Sequence, residues 1–226
     1  MVVIEQLLTK QEVQEYIKVL NDSPWLDGKS TAMGMASSVK NNLQADANHT
    51  NIRQLANRLL ARVGETPQLI SAALPHKIFP PCFNQYGICQ EYGYHVDAAI
   101  MRLPNSNDVL RSDVSMTVFL NEPDEYKGGE LVIATEYGEQ KVKLSAGQAV
   151  VYPSSSLHKV TAVTEGKRIA AITWMQSMIP DTTLRKTLFE LDASIQNLMG
   201  QQQTSREELD RLHHVYHNLI RQFSQI

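Results

Sequence analysis

Residues 147–158 read GQAVVYPSSSLH. A short apolar run, Ala149–Tyr152, stands between an Ala-Gly turn and a Pro-Ser turn, which is the pattern of a short buried strand. Similar segments, separated by turn residues, lie on both sides of it. The predicted strands are Cys82–Tyr86, Tyr94–Met101, Val114–Leu120, Leu131–Thr135, Lys141–Leu144, Ala149–Tyr152, His158–Thr164 and Arg168–Gln176. Many short strands at close spacing predict an all-β sandwich or barrel.

Helices are predicted on both sides of this β region. Thr9–Glu12 fits a capping box before an apolar helical stripe, and a second helix is expected from about Asn48 to Val63, ended by Gly64 and Pro67. Near the C-terminus, two leucine-rich stripes predict a helical hairpin that packs on the sheet or on a partner subunit. We therefore expect an N-terminal helical and strand segment, a β core and a C-terminal hairpin, at residues 1–78, 79–177 and 178–226.

Composition excludes several classes of function. The chain has 226 residues, 42% of them hydrophobic, which suits one large domain with helical additions. Its net charge of −3 argues against general nucleic-acid binding.

The N-terminus lacks the basic and apolar regions of a signal peptide, and no stretch has the length of a membrane span. We expect a cytoplasmic protein with Cys82 and Cys89 reduced, a bridge between them being the alternative.

Three residues carry the strongest chemical signal. His95 and Asp97 form a His-x-Asp tripeptide, and His158 lies far downstream. If Tyr94–Met101 is one strand, the side chains of His95 and Asp97 point to the same face. Two imidazoles and one carboxylate can hold a divalent ion on one side and leave the opposite positions open, as in non-haem iron oxygenases. A lone His-x-Asp tripeptide is common by chance, so its surroundings decide its meaning.

Arg168 is the second chemical signal, because it begins an otherwise apolar predicted strand. An arginine inside a barrel is costly unless it meets an anion, and its planar fork suits a carboxylate. The alternative is an exposed residue at a strand end. In a hairpin with a three-residue loop, Arg168 would pair with Thr164 and share the face of His158. The functional interpretation therefore requires an odd-length loop or a bulge.

His95, Asp97, His158 and Arg168 together resemble the motif of a known superfamily, the Fe(II)/2-oxoglutarate-dependent dioxygenases. Asn84–Gly87 followed by Tyr94–Asp97, together with Gly128–Leu131, resembles the prolyl-4-hydroxylase branch. The stretches Gly147–His158 and Thr173–Ser177 resemble the bacterial PKHD-type hydroxylases. The similarity extends over most of the chain, including both helical ends.

The resemblance implies a fold and a metal. The expected fold is α+β, with a double-stranded β-helix, or jelly-roll, core, N-terminal helices and a C-terminal helical hairpin. The resemblance further implies that His95, Asp97 and His158 hold Fe(II) and form the catalytic centre.

The resemblance also implies the cosubstrates. Arg168 is expected to pair with the distal carboxylate of 2-oxoglutarate, and Tyr86 to hydrogen-bond the same carboxylate, with Tyr92 and Tyr94 as neighbouring alternatives. O₂ is the second cosubstrate, and ascorbate is expected to re-reduce the iron.

The resemblance thus implies a hydroxylase that couples oxidative decarboxylation of 2-oxoglutarate to hydroxylation of an unidentified substrate. The alternatives are a non-catalytic jelly-roll module that senses metal or iron, and a cupin-like zinc or manganese enzyme that does not use 2-oxoglutarate. Neither alternative needs a buried Arg168. His213 and His217 lack the glutamate of a zinc-protease motif and are interpreted as surface residues. The sequence leaves open a homo-oligomer, and a metabolite, peptide, chelator or protein side chain as substrate.

Overall fold

The computed structural model describes residues 1–31, 34–201 and 203–226. The strands are β1 (Val2–Ile4), β2 (Trp25–Asp27), β3 (Lys40–Asn41), β4 (Leu43–Ala45), β5 (Pro75–Ile78), β6 (Cys82–Tyr86), β7 (Glu91–His95), β8 (Ile100–Arg102), β9 (Val109–Arg111), β10 (Val114–Phe119), β11 (Tyr126–Gly128), β12 (Leu131–Thr135), β13 (Gly138–Val142), β14 (Ala149–Pro153), β15 (His158–Val160), β16 (Val163–Gly166) and β17 (Arg168–Ser177). The helices are α1 (Lys10–Asn21), α2 (Met35–Ser38), α3 (Thr50–Glu65), α4 (Pro67–Ala73), α5 (Thr182–Met199) and α6 (Arg206–Phe223), with a short 3₁₀ helix at Gly28–Thr31. Within the described ranges, no helix is long and apolar enough to cross a bilayer.

Two antiparallel sheets form the core. The main sheet has the strand order β1-β14-β10-β17-β6-β4-β2, and β5 also pairs with β17. The second sheet has the order β13-β12-β15-β7-β3. One buried cluster takes Tyr86, Phe119 and Tyr152 from the main sheet, and Leu131 and Ile133 from the second. The two sheets therefore pack face to face, as expected for a jelly-roll core.

The opposite face of the main sheet carries the N-terminal helices. Alternate residues of the sheet, such as Phe83 and Met116, share a buried cluster with Leu20 of α1 and Leu59 of α3. The predicted capping box at the start of α1 is confirmed, because Thr9 accepts a hydrogen bond from the Glu12 backbone and donates to its side chain. Full burial of each large aliphatic side chain contributes roughly 1.5–3 kcal/mol, which fixes these helices on the sheet.

The second predicted helix ends differently from expectation. Helix α3 continues through Gly64 to Glu65, and Pro67 begins the short helix α4 instead of ending the helical region. Proline is well tolerated at the first position of a helix, because the backbone N–H that it lacks would have no partner there.

The C-terminal hairpin forms as predicted. Helices α5 and α6 have capping side chains at Asp181 and Ser205. Their apolar stripes pack against each other and against Leu74 and Ile179, which follow α4 and β17 respectively. The hairpin thus packs within the chain beside the core.

Two predicted strands are each divided in the structure. The predicted strand Tyr94–Met101 is wrong, because β7 ends at His95 and β8 begins at Ile100. Strand β7 pairs with β15, which begins at His158, directly opposite His95. In the described part of the chain, the pairing of β7 ends at His95. Likewise, the predicted strand His158–Thr164 is divided into β15 and β16, which belong to different sheets.

Candidate functional site

A cluster of two histidines and one aspartate lies between the sheets. His95 ends β7 and His158 begins β15, while Asp97 follows β7 in the connection to β8. One potential ligand atom from each residue lies within 4.8 Å of those of the other two, and His158 Nε2 is 3.8 Å from Asp97 Oδ2. Among the residues that the structure describes, this is the one group of three acidic, histidine or cysteine residues with metal-binding spacing.

Both imidazoles are oriented by backbone carbonyls. His95 Nδ1 lies 2.8 Å from the Gly93 carbonyl oxygen, and His158 Nδ1 lies 2.9 Å from that of Ser156. Because a carbonyl only accepts, each Nδ1 carries the proton and donates it. The Nε2 lone pairs are therefore the ones available to an ion, which is the second-sphere arrangement typical of metal-binding histidines.

Asp97 reaches the cluster from the connection after β7. The expectation that His95 and Asp97 share one face of a single strand is therefore wrong. The Ser115 hydroxyl, on β10, donates to Asp97 Oδ2 at 2.6 Å, and Ser154 lies 2.7 Å from the same hydroxyl. Both serines are almost completely buried. The carboxylate is thus anchored to the main sheet, while both histidines come from the second sheet.

The buried position of His95 favours its neutral form. Burial lowers the pKa of His95, and the nearby His158 lowers it further, against smaller opposing effects of the Gly93 carbonyl and Asp97. A neutral imidazole is the form that coordinates a metal. Tyr92 stacks on the His95 ring, with ring centroids 3.5 Å apart, and fixes its plane.

Arg168 occupies the interior at the start of β17, with 2% of its surface exposed. Its guanidinium carbon lies 5.2 Å from the centre of the Tyr86 ring and 5.4 Å from that of Phe119. Its Nε is buried without a hydrogen-bond partner. A buried cation with an unpaired donor is costly, so this position fits an anionic ligand. The alternative of an exposed strand-end arginine is wrong.

The pairing of Arg168 also differs from the expected hairpin. Arg168 is opposite Tyr86 of β6 in the register of the main sheet, and does not pair with Thr164. Strand β16 instead pairs with β11. The length of this loop therefore does not decide which face Arg168 occupies, because the two strands that flank the turn belong to different sheets.

The three candidate tyrosines have separate surroundings. Tyr86 is buried and its ring packs on Arg168, whereas Tyr92 packs on His95. Tyr94 is 38% exposed and hydrogen-bonds Glu139 on the surface. Of the three, only the Tyr86 ring is in contact with Arg168. Burial raises the pKa of the Tyr86 phenol, and the charge of Arg168 opposes that shift.

A further residue, Tyr126, was not identified from the sequence. Its hydroxyl is buried without a partner, and burial raises its pKa, with the charge of Arg168 acting in the opposite direction. A β-carbon built on Gly129 would lie 3.0 Å from the Tyr126 ring and 3.1 Å from Arg168 Cδ. The Gly-Gly sequence after Tyr126 was the available signal: Gly129 has a φ of +66° and allows the close approach of both side chains.

The histidines of the C-terminal helix lie elsewhere. His213 and His217 stack on each other along α6, with centroids 6.0 Å apart, and His217 is exposed. They belong to no metal-binding group within the described part of the chain. Cys82 and Cys89 are both free thiols, so the alternative of a bridge between them is not realised.

Comparison with known families covers both the core and the C-terminal hairpin. Residues 81–176 match the model of the 2OG-Fe(II) oxygenase superfamily. Residues 183–225 match the model of the PKHD-type hydroxylase C-terminal domain. The first match contains all the residues of the cluster and Arg168.

Two PKHD-type hydroxylases are similar to this chain over its whole length. A PKHD-type hydroxylase of Shewanella frigidimarina is 72% identical over 226 residues, which is 100% of both chains. Another, from Alteromonas mediterranea, is 63% identical over the same length and coverage.

Solved structures share the fold at low identity. A Pseudomonas putida prolyl-4-hydroxylase has a TM-score of 0.52 and 18% identity, covering 78% of this chain and 91% of that one. A prolyl hydroxylase from Trichoplax adhaerens, solved with a peptide fragment, has a TM-score of 0.53 and 14% identity, covering 78% and 83% of the two chains. Their likeness supports the jelly-roll core, and the full-length relatives identify the family. The chain belongs to the PKHD-type hydroxylases and is a hydroxylase of the 2-oxoglutarate-Fe(II) oxygenase superfamily.

Proposed function

We propose that His95, Asp97 and His158 hold Fe(II) in this hydroxylase. The support is the convergence of three ligand atoms within 4.8 Å from positions far apart in the chain. The donor set of two imidazoles and one carboxylate matches the requirement of a non-haem iron that needs open positions. Ser115 is the positioning residue for Asp97, because its hydroxyl fixes one carboxylate oxygen.

We propose that Arg168 binds the distal carboxylate of 2-oxoglutarate. Its unpartnered Nε, at 2% residue exposure, is the observation that carries this assignment. Tyr86 and Phe119 hold the guanidinium between two rings, and the Tyr86 phenol is a candidate donor to the same carboxylate. Tyr126 is a second candidate donor, because its hydroxyl is also buried without a partner. Together these groups recognise a dicarboxylate by charge and by hydrogen bonding.

The protein residues contribute binding, orientation and exclusion of water. When bound, Fe(II) and 2-oxoglutarate supply the oxidising chemistry, in which 2-oxoglutarate and O₂ are consumed, succinate and CO₂ are released and a C–H bond is hydroxylated. The apolar side chains between the sheets, including Tyr152 and Ile133, are almost fully buried and keep the interior dry. The alternatives of a sensing module and of a cupin-like enzyme without 2-oxoglutarate conflict with the family membership.

Three finer assignments also belong to this proposal. Ascorbate is the reductant that restores Fe(II), on the basis of the family resemblance. The cytoplasm is the proposed location, supported by the two free thiols. The net charge of −3 supports a ligand other than nucleic acid.

The test is the formation of succinate by the purified protein. We expect succinate release with Fe(II), 2-oxoglutarate and O₂, and loss of release when any one of them is omitted. A gain on adding ascorbate would support its role. Succinate release that is unaffected by removing iron with a chelator would contradict the proposed function.

A further inference from the structure

Asn42 is a buried polar residue that has no role in the proposed site. It lies between β3 and β4 and is 2% exposed. Both atoms of its side-chain amide are buried without a hydrogen-bond partner among the described residues. An unpaired buried amide is costly to the folded state, so its presence in the interior calls for an explanation.

Asn42 belongs to a row of residues that leads to Arg168. Strands β4 and β6 pair with Leu43 opposite Gln85, and continuing this register by one position brings Asn42 opposite Tyr86. Tyr86 is in turn opposite Arg168 of β17. Opposite residues of an antiparallel pair point to the same face of the sheet, and the Tyr86 ring packs on Arg168 in the interior. The Asn42 side chain therefore lies beside Tyr86, on the side away from Arg168.

Gly28 limits the Asn42 amide on its other side. The Gly28 N–H donates to the Asn42 backbone carbonyl at 2.9 Å. A β-carbon built on Gly28 would lie 1.8 Å from Asn42 Oδ1, so the amide fills the space that a side chain at position 28 would need. The Asn42 side chain is thus confined between Gly28 and Tyr86.

The effect of Asn42 on Tyr86 has a definite direction. A hydrogen bond donated to a phenol oxygen favours the phenolate, and the Asn42 amide lowers the pKa of Tyr86, although burial raises it more. This direction makes the amide the donor and leaves the Tyr86 O–H for an acceptor. In a chain of hydrogen bonds each bond polarises the next, so a phenol that accepts from an amide is a stronger donor.

We propose that Asn42 is a positioning residue for 2-oxoglutarate that acts through Tyr86. When the distal carboxylate pairs with Arg168, the Tyr86 hydroxyl donates to that carboxylate and the Asn42 amide donates to the Tyr86 oxygen. Asn42 thereby orients the phenol and strengthens recognition of the distal carboxylate without touching the ligand. This inference rests on the proposed function, because it requires the distal carboxylate at Arg168.

Two matched ligands isolate recognition of the distal carboxylate. 2-Oxoglutarate and 2-oxopentanoate are five-carbon 2-oxo acids, and the second carries a methyl group in place of the distal carboxylate. The full chain is loaded with Zn(II), which is redox-inert, so that binding is measured without turnover. Titrations followed by ligand-observed NMR give the Kd of each ligand, and the ratio of the two Kd values is the preference for the dicarboxylate.

Substitutions at Asn42 should reduce this preference. Asn42→Ala is expected to lower it about two- to tenfold, which corresponds to about 0.5–1.5 kcal/mol, and to leave the Kd of 2-oxopentanoate unchanged. Asn42→Leu keeps the branched shape without the unpaired polar atoms, and serves if Asn42→Ala fails to fold. Gly28→Ala should act in the same direction, because the new β-carbon displaces the amide. Asn51→Ala, in the exposed first turn of α3, is the control.

Tyr86→Phe supplies a measurement that a purely structural role of Asn42 would not affect. This substitution should itself lower the preference for 2-oxoglutarate. Adding Asn42→Ala to Tyr86→Phe should then cause no further loss, because a residue that acts through the phenol hydroxyl needs that hydroxyl. Residues that act independently would instead give losses that add.

Three results would overturn the proposal. One is an unchanged preference in both Asn42→Ala and Asn42→Leu. Another is an equal loss of affinity for the two ligands, which would indicate general damage to the fold. The third is losses that add in the double variant. Failure of the proposed function would appear separately, as a wild-type protein without a preference for 2-oxoglutarate or without iron-dependent succinate release.

Discussion

His95 and His158 face each other as direct cross-strand partners of β7 and β15, with their ring centroids 4.2 Å apart. The pairing register of these two strands therefore sets the distance between the two imidazoles. Asp97 depends on a different constraint, the hydrogen bond from Ser115 of the main sheet. The cluster forms only when both sheets are assembled and packed against each other.

Ser115 is expected to control metal affinity. Ser115→Ala removes the hydrogen bond to Asp97 Oδ2 and leaves the carboxylate less well oriented. Second-sphere substitutions of this kind typically lower metal affinity by about 10- to 100-fold. Anaerobic titration with Fe(II) measures the change, and Ser194→Ala on the exposed face of α5 is the control. Equal Fe(II) affinities of the two variants would exclude the positioning role of Ser115.

Arg168 is expected to control the requirement for 2-oxoglutarate. Arg168→Ala removes the buried cation that pairs with the distal carboxylate. The loss of about 1.5–3 kcal/mol predicts a rise of roughly 10- to 150-fold in the 2-oxoglutarate concentration for half-maximal succinate release. Arg206→Ala, on the exposed start of α6, should behave like the wild type. An unchanged requirement in Arg168→Ala would remove Arg168 from this role.

Gly129 is expected to be intolerant of a side chain. In Gly129→Ala, the new methyl group would meet the Tyr126 ring and Arg168 Cδ at close to 3 Å, at a φ of +66°. The left-handed backbone alone costs about 1–2 kcal/mol in a non-glycine residue. We expect a lower melting temperature and a higher 2-oxoglutarate requirement, measured by thermal unfolding and by succinate release.

Gly64→Ala is the matched control for this glycine. It lies in α3, where a β-carbon meets nothing within 4 Å, so alanine should stabilise the helix by roughly 0.5–1 kcal/mol. A Gly129→Ala protein as stable and as active as Gly64→Ala would contradict the close packing around Arg168.

The two thiols are expected to differ in reactivity. Burial raises the pKa of the Cys82 thiol to about 11, although Lys40 opposes the shift. At pH 8, about one molecule in a thousand then carries the reactive thiolate at this position. Cys89 is exposed. Alkylation with iodoacetamide followed by peptide mass spectrometry should label Cys89 rapidly and Cys82 slowly, with labelling of Cys82 increasing as pH rises. Rapid labelling of Cys82 at pH 8 in the folded protein would contradict the raised pKa of this thiol.

The sequence predicts the β core and the function class more fully than it predicts where individual strands end and which strands pair. The segment Cys82–Tyr86, helix α1 and the C-terminal helices α5 and α6 agree with expectation, because their periodicity and capping residues are local signals. The end of β7 at His95 is not predicted from the sequence, because it depends on where the partner strand β15 begins. Such a break is a property of strand pairing between distant segments, which local alternation does not encode.

The same limit applies to the site residues. The sequence indicates His95, Asp97, His158 and Arg168, because their residue types are unusual in apolar β segments. It does not indicate Tyr126, because the relation of Tyr126 to Arg168 arises from the close approach permitted at Gly129.

The central claim is that the cluster of His95, Asp97 and His158 holds the iron on which turnover depends. The most direct measurement is succinate release by His95→Ala under saturating Fe(II), 2-oxoglutarate and O₂, beside the wild type and His214→Ala, whose substitution is on the exposed face of α6. We expect His95→Ala to release no succinate above the level without enzyme, and His214→Ala to match the wild type. Succinate release by a folded His95→Ala protein at the wild-type rate would contradict the claim.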